Sequence, residues 1–314
     1  MASDLFGWMD SIVRWSTVAG LLTGLAGLCA ESTWAGDINQ RHPGQACLVV
    51  DTDVATDDFR AFAALFPHRD LRAVVVTEGI ASVPRGSTAI ALFLASGQSL
   101  APVIPGLAAT VPPAYDWLSA ARAAAERING LLAESVPFSA SSPNKLRPAL
   151  LAALNGCQAV DVLVLGPWSS FVQYALTLRH LIRRVVASGR PLAENNPDNF
   201  NCVYDQLACD KADKLLRTFR NAVWIDLPAD GSSYPPTQEM VDQLARAGMP
   251  GVLRAALNAD PSQWLGTRLW DDTAALYVLA PEHFRANGAH LEPVIDEETL
   301  RSELVKAING TPAD

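Results

Sequence analysis

Apolar and polar positions along this chain fall into short β-branched runs separated by longer amphipathic stretches. Residues 46–50, around Leu48-Val49-Val50, read as a buried strand. Residues 57–66 then repeat apolar side chains at Phe59, Phe62, Ala63 and Phe66, one face of a helix, with Thr56 or Asp57 to cap it. The same alternation continues. Residues 71–77 predict a strand, 84–95 a helix, and 102–105 a short extended piece ending at Gly106. An alanine-rich helix is expected over 115–133 and a serine- and proline-rich loop over 135–148. A short helix over 147–155 has Gly156 as its C-cap. Strands follow at 160–165, 181–186 and 222–226, with helices at 168–178 and 205–217 and a polar loop at 195–199. The remainder reads as mostly helical, clearest over 271–279. Such alternation predicts an α/β fold, a mainly parallel open sheet with helices on both faces.

Chemistry concentrates where the first strand meets the first helix. Asp51, Asp53, Asp57 and Asp58 crowd that turn. Four like charges so close repel one another unless a cation lies between them. Capping a helix needs one or two acids, not four. Hard cations such as Ca²⁺ take six to eight oxygen ligands, which carboxylates supply. In open α/β sheets ligands bind outside the carboxyl ends of the strands, where this turn would lie.

Composition narrows the field. A chain of 314 residues, 49% hydrophobic, builds a sizeable core without staples. Its net charge of −9 argues against nucleic-acid binding, which wants a basic face. Residues 1–35 resemble a secretory leader: Arg14 precedes an uncharged run to Ala30, and Thr33-Trp34-Ala35 offers a cleavage site. The run is too short for a stable membrane span. Export to a periplasmic or extracellular space is the expectation, with a cytoplasmic protein as the alternative, and 36–314 forms the α/β domain. Removing the leader takes Cys29 and leaves Cys47, Cys157, Cys202 and Cys209. These read as small buried hydrophobes, with a Cys202–Cys209 bridge as the alternative. No CxxC pair and no paired histidine spacing suggests a zinc site.

The order strand, Asp-Thr-Asp-x-x-x-Asp-Asp, helix resembles the signature of the inosine-uridine-preferring nucleoside hydrolase family. Further segments are similar to that family: Val74-Val75-Val76-Thr77-Glu78-Gly79, Pro102-Val103-Ile104-Pro105-Gly106, Val162-Leu163-Val164-Leu165-Gly166-Pro167, Asn199-Phe200-Asn201 with Asp205, and Trp270-Asp271-Asp272. The resemblance implies a Ca²⁺-dependent hydrolase of N-ribosidic bonds. It implies Asp53, Asp58, the Leu165 carbonyl and Asp271 as metal ligands, and Asp53 as the base that activates water. Asp57, Asn199, Asn201 and Trp270 would contact the substrate. The expected partner is a small nucleoside or glycoside, with a homo-oligomer left open.

Departures from the pattern bear on recognition more than on the metal. Val54-Ala55 replaces Pro-Gly, and alanine does not freely adopt the backbone angles glycine allows. Ile80 replaces an asparagine, Asn199 a glutamate and Trp270 a histidine. Trp270 would either stack on a leaving ring or fill the core. Two rivals therefore stand beside the riboside hydrolase: a hydrolase of another N- or O-glycoside, and an inactive protein that binds calcium and a sugar.

Overall fold

The computed structural model describes residues 45–110, 112–126, 142–189, 199–227, 234–287 and 290–311. The leader, residues 135–141 of the predicted 135–148 loop, and residues 195–198 of the predicted 195–199 loop lie outside them. Eight strands form one sheet: β1 (Cys47–Thr52), β2 (Leu71–Val76), β3 (Val103–Pro105), β4 (Val160–Val164), β5 (Ile182–Ser188), β6 (Ala222–Ile225), β7 (Phe284–Asn287) and β8 (His290–Pro293), in the order β3-β2-β1-β4-β5-β6-β8-β7. Every pairing is parallel except β7 with β8. The chain winds outward through β2 and β3, then returns to the other side of β1 with β4. The strand order therefore reverses between β1 and β4, and a crevice opens there at the carboxyl ends.

Side-chain alternation divides the core in two. Leu48, Val50, Leu163 and Val186 face one layer, and Val49, Val162, Val164 and Val185 the other. The first layer holds α1 (Thr56–Leu65), α2 (Val83–Ser96), α9 (Gly248–Ala259), α11 (Trp270–Leu279) and α12 (Glu297–Ile308), with the short α8 (Gln238–Asp242) and α10 (Pro261–Trp264) beside them. The second holds α4 (Pro143–Ala153), α5 (Phe171–Leu178) and α7 (Gln206–Leu216), with Trp168 packed edge-on to Phe171 and Trp224. Two elements remain, α3 (Leu118–Ala125) and the five-residue α6 (Phe200–Tyr204). Among the described residues, no helix is long and apolar enough to cross a membrane.

Several expectations change. The C-terminal part is not wholly helical: β7 and β8 form an antiparallel hairpin on the sheet edge. Helix α4 starts at Pro143, inside the predicted loop, because proline is tolerated in the first turn. The cap of α1 is Ala55, not Thr56 or Asp57. The cysteines are not free buried hydrophobes: Cys47 bridges Cys157 and Cys202 bridges Cys209. The first bridge joins positions far apart in sequence. It forms because β1 pairs with β4 in a register that sets Cys47 opposite Val160, three residues beyond Cys157. The C-cap of α4 is Leu154 rather than Gly156, which lies two residues further on in a left-handed conformation, φ +85°.

Helices α1 and α11 are buried almost all round, so they sit inside the layer rather than on it. A buried ion pair joins them. Arg60 donates from Nε to Asp272 Oδ1 at 2.7 Å and from Nη2 to Asp272 Oδ2 at 2.8 Å. Both side chains are essentially inaccessible, so removing one strands the other. Asp272→Ala is expected to lower unfolding stability by about 3–5 kcal/mol in urea titrations followed by tryptophan fluorescence. Combining Asp272→Leu with Arg60→Met should recover most of that loss, and a double variant no better than Asp272→Ala would contradict this account.

Candidate active site

The carboxyl end of β1 enters the crevice as a tightly folded turn. Asp51 points below it, fully buried, with Thr77 Oγ1 at 2.5 Å and Tyr174 OH at 3.0 Å. Burial pushes its carboxyl up to about 7, against the pull of those two hydroxyls. Beyond it the Thr52 hydroxyl donates to Asp58 Oδ1 and accepts from Val54 N at 2.9 Å. Asp58 Oδ2 accepts from Ala55 N at 2.7 Å, which closes the turn onto the start of α1. Strain was expected at Ala55, but that residue is extended, with φ −76°. It falls instead on Val54, a β-branched residue at φ +61°. Such a conformation costs roughly 1–3 kcal/mol. The wholly buried Val54 side chain in the first core layer holds it there.

Asp53 is wedged between two glycines. A Cβ on Gly79 would lie 2.2 Å from Asp53 Oδ2, and one on Gly166 would lie 2.6 Å from Asp53 N. Close backbone approach therefore requires glycine at both positions. Asp53 Oδ2 accepts from Ile80 N at 2.9 Å, and its carbonyl accepts from Ala81 N at 2.8 Å. Burial raises its carboxyl to about 7; the Ile80 N–H pulls downward, and the Asp57 charge adds to the rise.

Three further carboxylates meet beside it. Asp57 and Asp58 stand in the first turn of α1 and Asp271 in the first turn of α11, and each offers an oxygen within 4.8 Å of the others. Burial raises Asp57 to about 6, with Arg60 opposing the rise and Asp272 adding to it. Asp58 and Asp271 are raised well above the usual range, by burial first and then by the neighbouring carboxylates. The Ser188 hydroxyl at the end of β5 supports Asp271.

The opposite end of β4 shows how this protein treats a buried acid it means to neutralise. Asp161 receives Arg69 at 2.9 Å, Arg183 at 2.8 Å and Arg184 at 2.9 Å. At the carboxyl end Arg60 lies close enough to pull on Asp57, and Asp272 already occupies its guanidinium. Oxygens bound to one hard cation at about 2.3–2.6 Å lie at most about 5 Å apart, so the Asp57–Asp58–Asp271 spacing fits such an ion.

The other predicted residues take distinct places. The Leu165 carbonyl accepts from Asn201 Nδ2 at 2.7 Å, and a carbonyl keeps a second lone pair. Asn199 caps α6, its Oδ1 accepting from Cys202 N at 3.1 Å. Trp270 is 47% exposed, with the Arg268 guanidinium 6.0 Å from its ring centre, so it does not fill the core. Asp205 caps α7 and accepts from Ser169 Oγ at 2.5 Å, which ties that corner to the β4 turn.

Sequence reasoning did not single out Ser188, Arg60 or an aromatic shelf beside Asn201. In that shelf Tyr115 stacks on Trp117 at 5.2 Å, Trp117 meets Phe200 at 5.7 Å, and Phe200 meets Tyr204 at 5.2 Å. Only the shared aromatic character of these scattered positions hinted at it. A cavity of about 390 Å³ lies against α3, lined by Tyr115, Leu118, Arg122 and Glu126 among others and by none of the clustered carboxylates.

No protein-family model matches the sequence, and no curated protein matches it. Solved structures do match in fold. An inosine-guanosine nucleoside hydrolase superposes with a TM-score of 0.64 at 13% identity, over 85% of this chain and 99% of that one. A purine-preferring ribonucleoside hydrolase from Gardnerella vaginalis gives 0.61 at 16% identity, over 84% and 98%. An inosine-uridine preferring nucleoside hydrolase from Bacillus anthracis gives 0.58 at 12% identity, over 85% and 100%. The chain has the nucleoside hydrolase fold.

The raised carboxyls set a pH dependence. Asp53 and Asp57 move from 3.8 to about 7 and about 6 on folding. A carboxyl raised on folding contributes stability that is complete below its unfolded value and is lost as pH rises through its folded value. In chelator, the melting temperature should therefore fall between about pH 4 and pH 7. Asp58→Asn removes one of the repelling charges and should flatten the fall. A melting temperature that climbs across that window in chelator would contradict the assignment.

Proposed function

We propose that this chain, built on the nucleoside hydrolase fold, is a Ca²⁺-dependent hydrolase of N-ribosidic bonds in nucleosides or related ribosides. One observation carries the reading: Asp53, Asp57, Asp58 and Asp271 are buried carboxylates at the crevice where the strand order reverses, and the Arg60 beside them is committed to Asp272. The residues that would hold the ion are Asp53, Asp58, Asp271 and the Leu165 carbonyl; of these, Asp58 and Asp271 share the 4.8 Å oxygen cluster, and its third member is Asp57. Bound there, Ca²⁺ would orient sugar hydroxyls and lower the pKa of water.

The chain's own groups supply the rest. Asp53 takes the proton of the attacking water, its carboxylate aimed by the Ile80 N–H. The water oxygen bonds to the anomeric carbon as the glycosidic electron pair leaves with the base. Positive charge grows on the sugar in between, and the carboxylate cluster stabilises it. Asp57 accepts from a sugar hydroxyl. Asn201 contacts the ribose from beside the Leu165 carbonyl, and Asn199 supports it by capping the helix that presents it. Trp270 and the Tyr115–Trp117–Phe200 shelf offer flat, exposed surface for a leaving ring.

A second substrate class is supported by Ile80. Its side chain makes no hydrogen bond and its N–H is committed to Asp53, which leaves one ribose contact missing and favours other N- or O-glycosides. The two disulfides, together with the leader-like residues 1–35, support export. The mature N-terminus should then fall between about residues 30 and 37 by mass spectrometry. An intact Met1 or Met9 terminus on a cytosolic protein would contradict export.

Activity is tested on a panel of nucleosides and p-nitrophenyl riboside, with Ca²⁺ and with EGTA. Turnover should require Ca²⁺, and Asp53→Asn should lower kcat by at least about 10²-fold, the lower range for losing a general base. Trp270 cannot protonate a leaving base, so p-nitrophenyl riboside, whose leaving group departs as an anion, should be cleaved faster than inosine. Equal rates on the two would refute that role of Trp270. No cleavage with Ca²⁺ present would favour a calcium- and sugar-binding protein.

A further inference from the structure

We infer that Arg122 is a positioning residue for Asp53, acting through the peptide group between Gly79 and Ile80. The inference rests on the proposed role of Asp53 as the base. Arg122 stands in the last turn of α3, outside the carboxylate cluster. Its Nε donates to Ile80 O at 2.9 Å, and its Nη2 donates to Gly79 O at 2.8 Å. The Gly79 carbonyl and the Ile80 N–H belong to one peptide group. That group is planar and trans, so its C=O and N–H point in opposite directions. The guanidinium grips one end, and the other end donates to Asp53 Oδ2 at 2.9 Å. Two charge-assisted bonds, one at each end of a single peptide, polarise it in the same sense and strengthen each other.

Gly79 makes the arrangement possible, because any side chain there would strike Asp53. Ile80 needs no polar side chain, because its backbone does the work. Arg122 also reaches across to α6, where its Nη2 donates to Tyr204 OH at 3.0 Å, and it stands 3.7 Å from Glu78 Oε1. Asn201 lies on that same short helix. One planar fork thus sets both the turn that aims the base and the helix that faces the sugar. A lysine has no fork with which to span two carbonyls. The docking of α3 does not depend on Arg122 alone, since Glu126 Oε1 separately accepts from Ser82 N at 2.8 Å. Substitution of Arg122 should therefore leave the helix in place.

The test uses the full Ca²⁺-loaded chain with Arg122→Gln, Arg122→Lys, Asp53→Asn and the Asp53→Asn/Arg122→Gln double variant. Arg122→Gln should lower kcat on p-nitrophenyl riboside by about 10- to 100-fold, the size of a hydrogen bond to a charged group, with KM changed by less than about twofold. Arg122→Lys should restore only part of the rate. In the Asp53→Asn background the Gln substitution should have little further effect, because its route to the chemistry is already gone. Losses that multiply in the double variant, or a change confined to KM, would overturn the inference. Amide exchange of the peptide carrying Ile80 provides a readout that needs no substrate, and it should quicken at least about tenfold in Arg122→Gln. A wild-type chain that cleaves no riboside would sink the proposed function, and exchange at Ile80 would then decide whether Arg122 holds the turn. Unchanged exchange would overturn the positioning role on its own.

Discussion

Everything distinctive in this structure follows from crowding carboxylates, buried, at the reversal of strand order. Asp53, Asp57 and Asp58 come from the turn after β1 and Asp271 from α11, yet oxygens of Asp57, Asp58 and Asp271 lie within 4.8 Å of one another. Burial disfavours their charge and the neighbouring carboxylates add to it, so their carboxyls are raised. Asp161, at the other end of β4, has three arginines. Among the described residues, the fold neutralises Asp161 with side chains and does not do so for the carboxylates where the crevice opens. A cation or shared protons must make up the difference.

That crowding constrains the chain around it. The β1 turn closes on itself through Thr52 and Asp58, and it carries Val54 in a left-handed conformation held by its buried side chain. Gly79 and Gly166 let neighbouring backbone approach Asp53 closely, and the Ile80 amide donates to its carboxylate. The Arg60–Asp272 pair fixes the two helices whose first turns bring Asp57, Asp58 and Asp271 together. Their N-termini point partial positive charge at the cluster, which reduces the cost of gathering it without cancelling that cost.

The aromatic shelf stands on different elements from the carboxylates. Asn201, Phe200 and Tyr204 share one short helix, fixed by the Asn199 cap, the Cys202–Cys209 bridge and the Asp205 corner. Trp117 and Tyr115 come from a separate stretch and complete an aromatic shelf against Phe200. The carboxylates that would handle the sugar are thus rooted in the first core layer, while the shelf stands on α6 and the stretch leading into α3.

Local patterns determined much of this in advance. The β-branched runs at β1, β2, β4 and β5 announced a parallel sheet, because strands buried on both faces must be apolar throughout. The Asp51–Asp58 cluster was legible because its members are neighbours in sequence, and their repulsion needs no fold to be noticed. What depended on distant segments meeting was not legible. The Cys47–Cys157 bridge follows from strand register, and the β7–β8 hairpin from an edge that had to be paired. The strain moved from Ala55 to Val54 because the turn had to satisfy Thr52 and Asp58 together. Asn199 acts as a helix cap, and Arg122 reaches the site through a backbone it does not share. Propensity and charge act over a few residues and can be read along the chain. Which carboxylate faces which amide is settled only when packing fixes the distance between segments that the sequence keeps far apart.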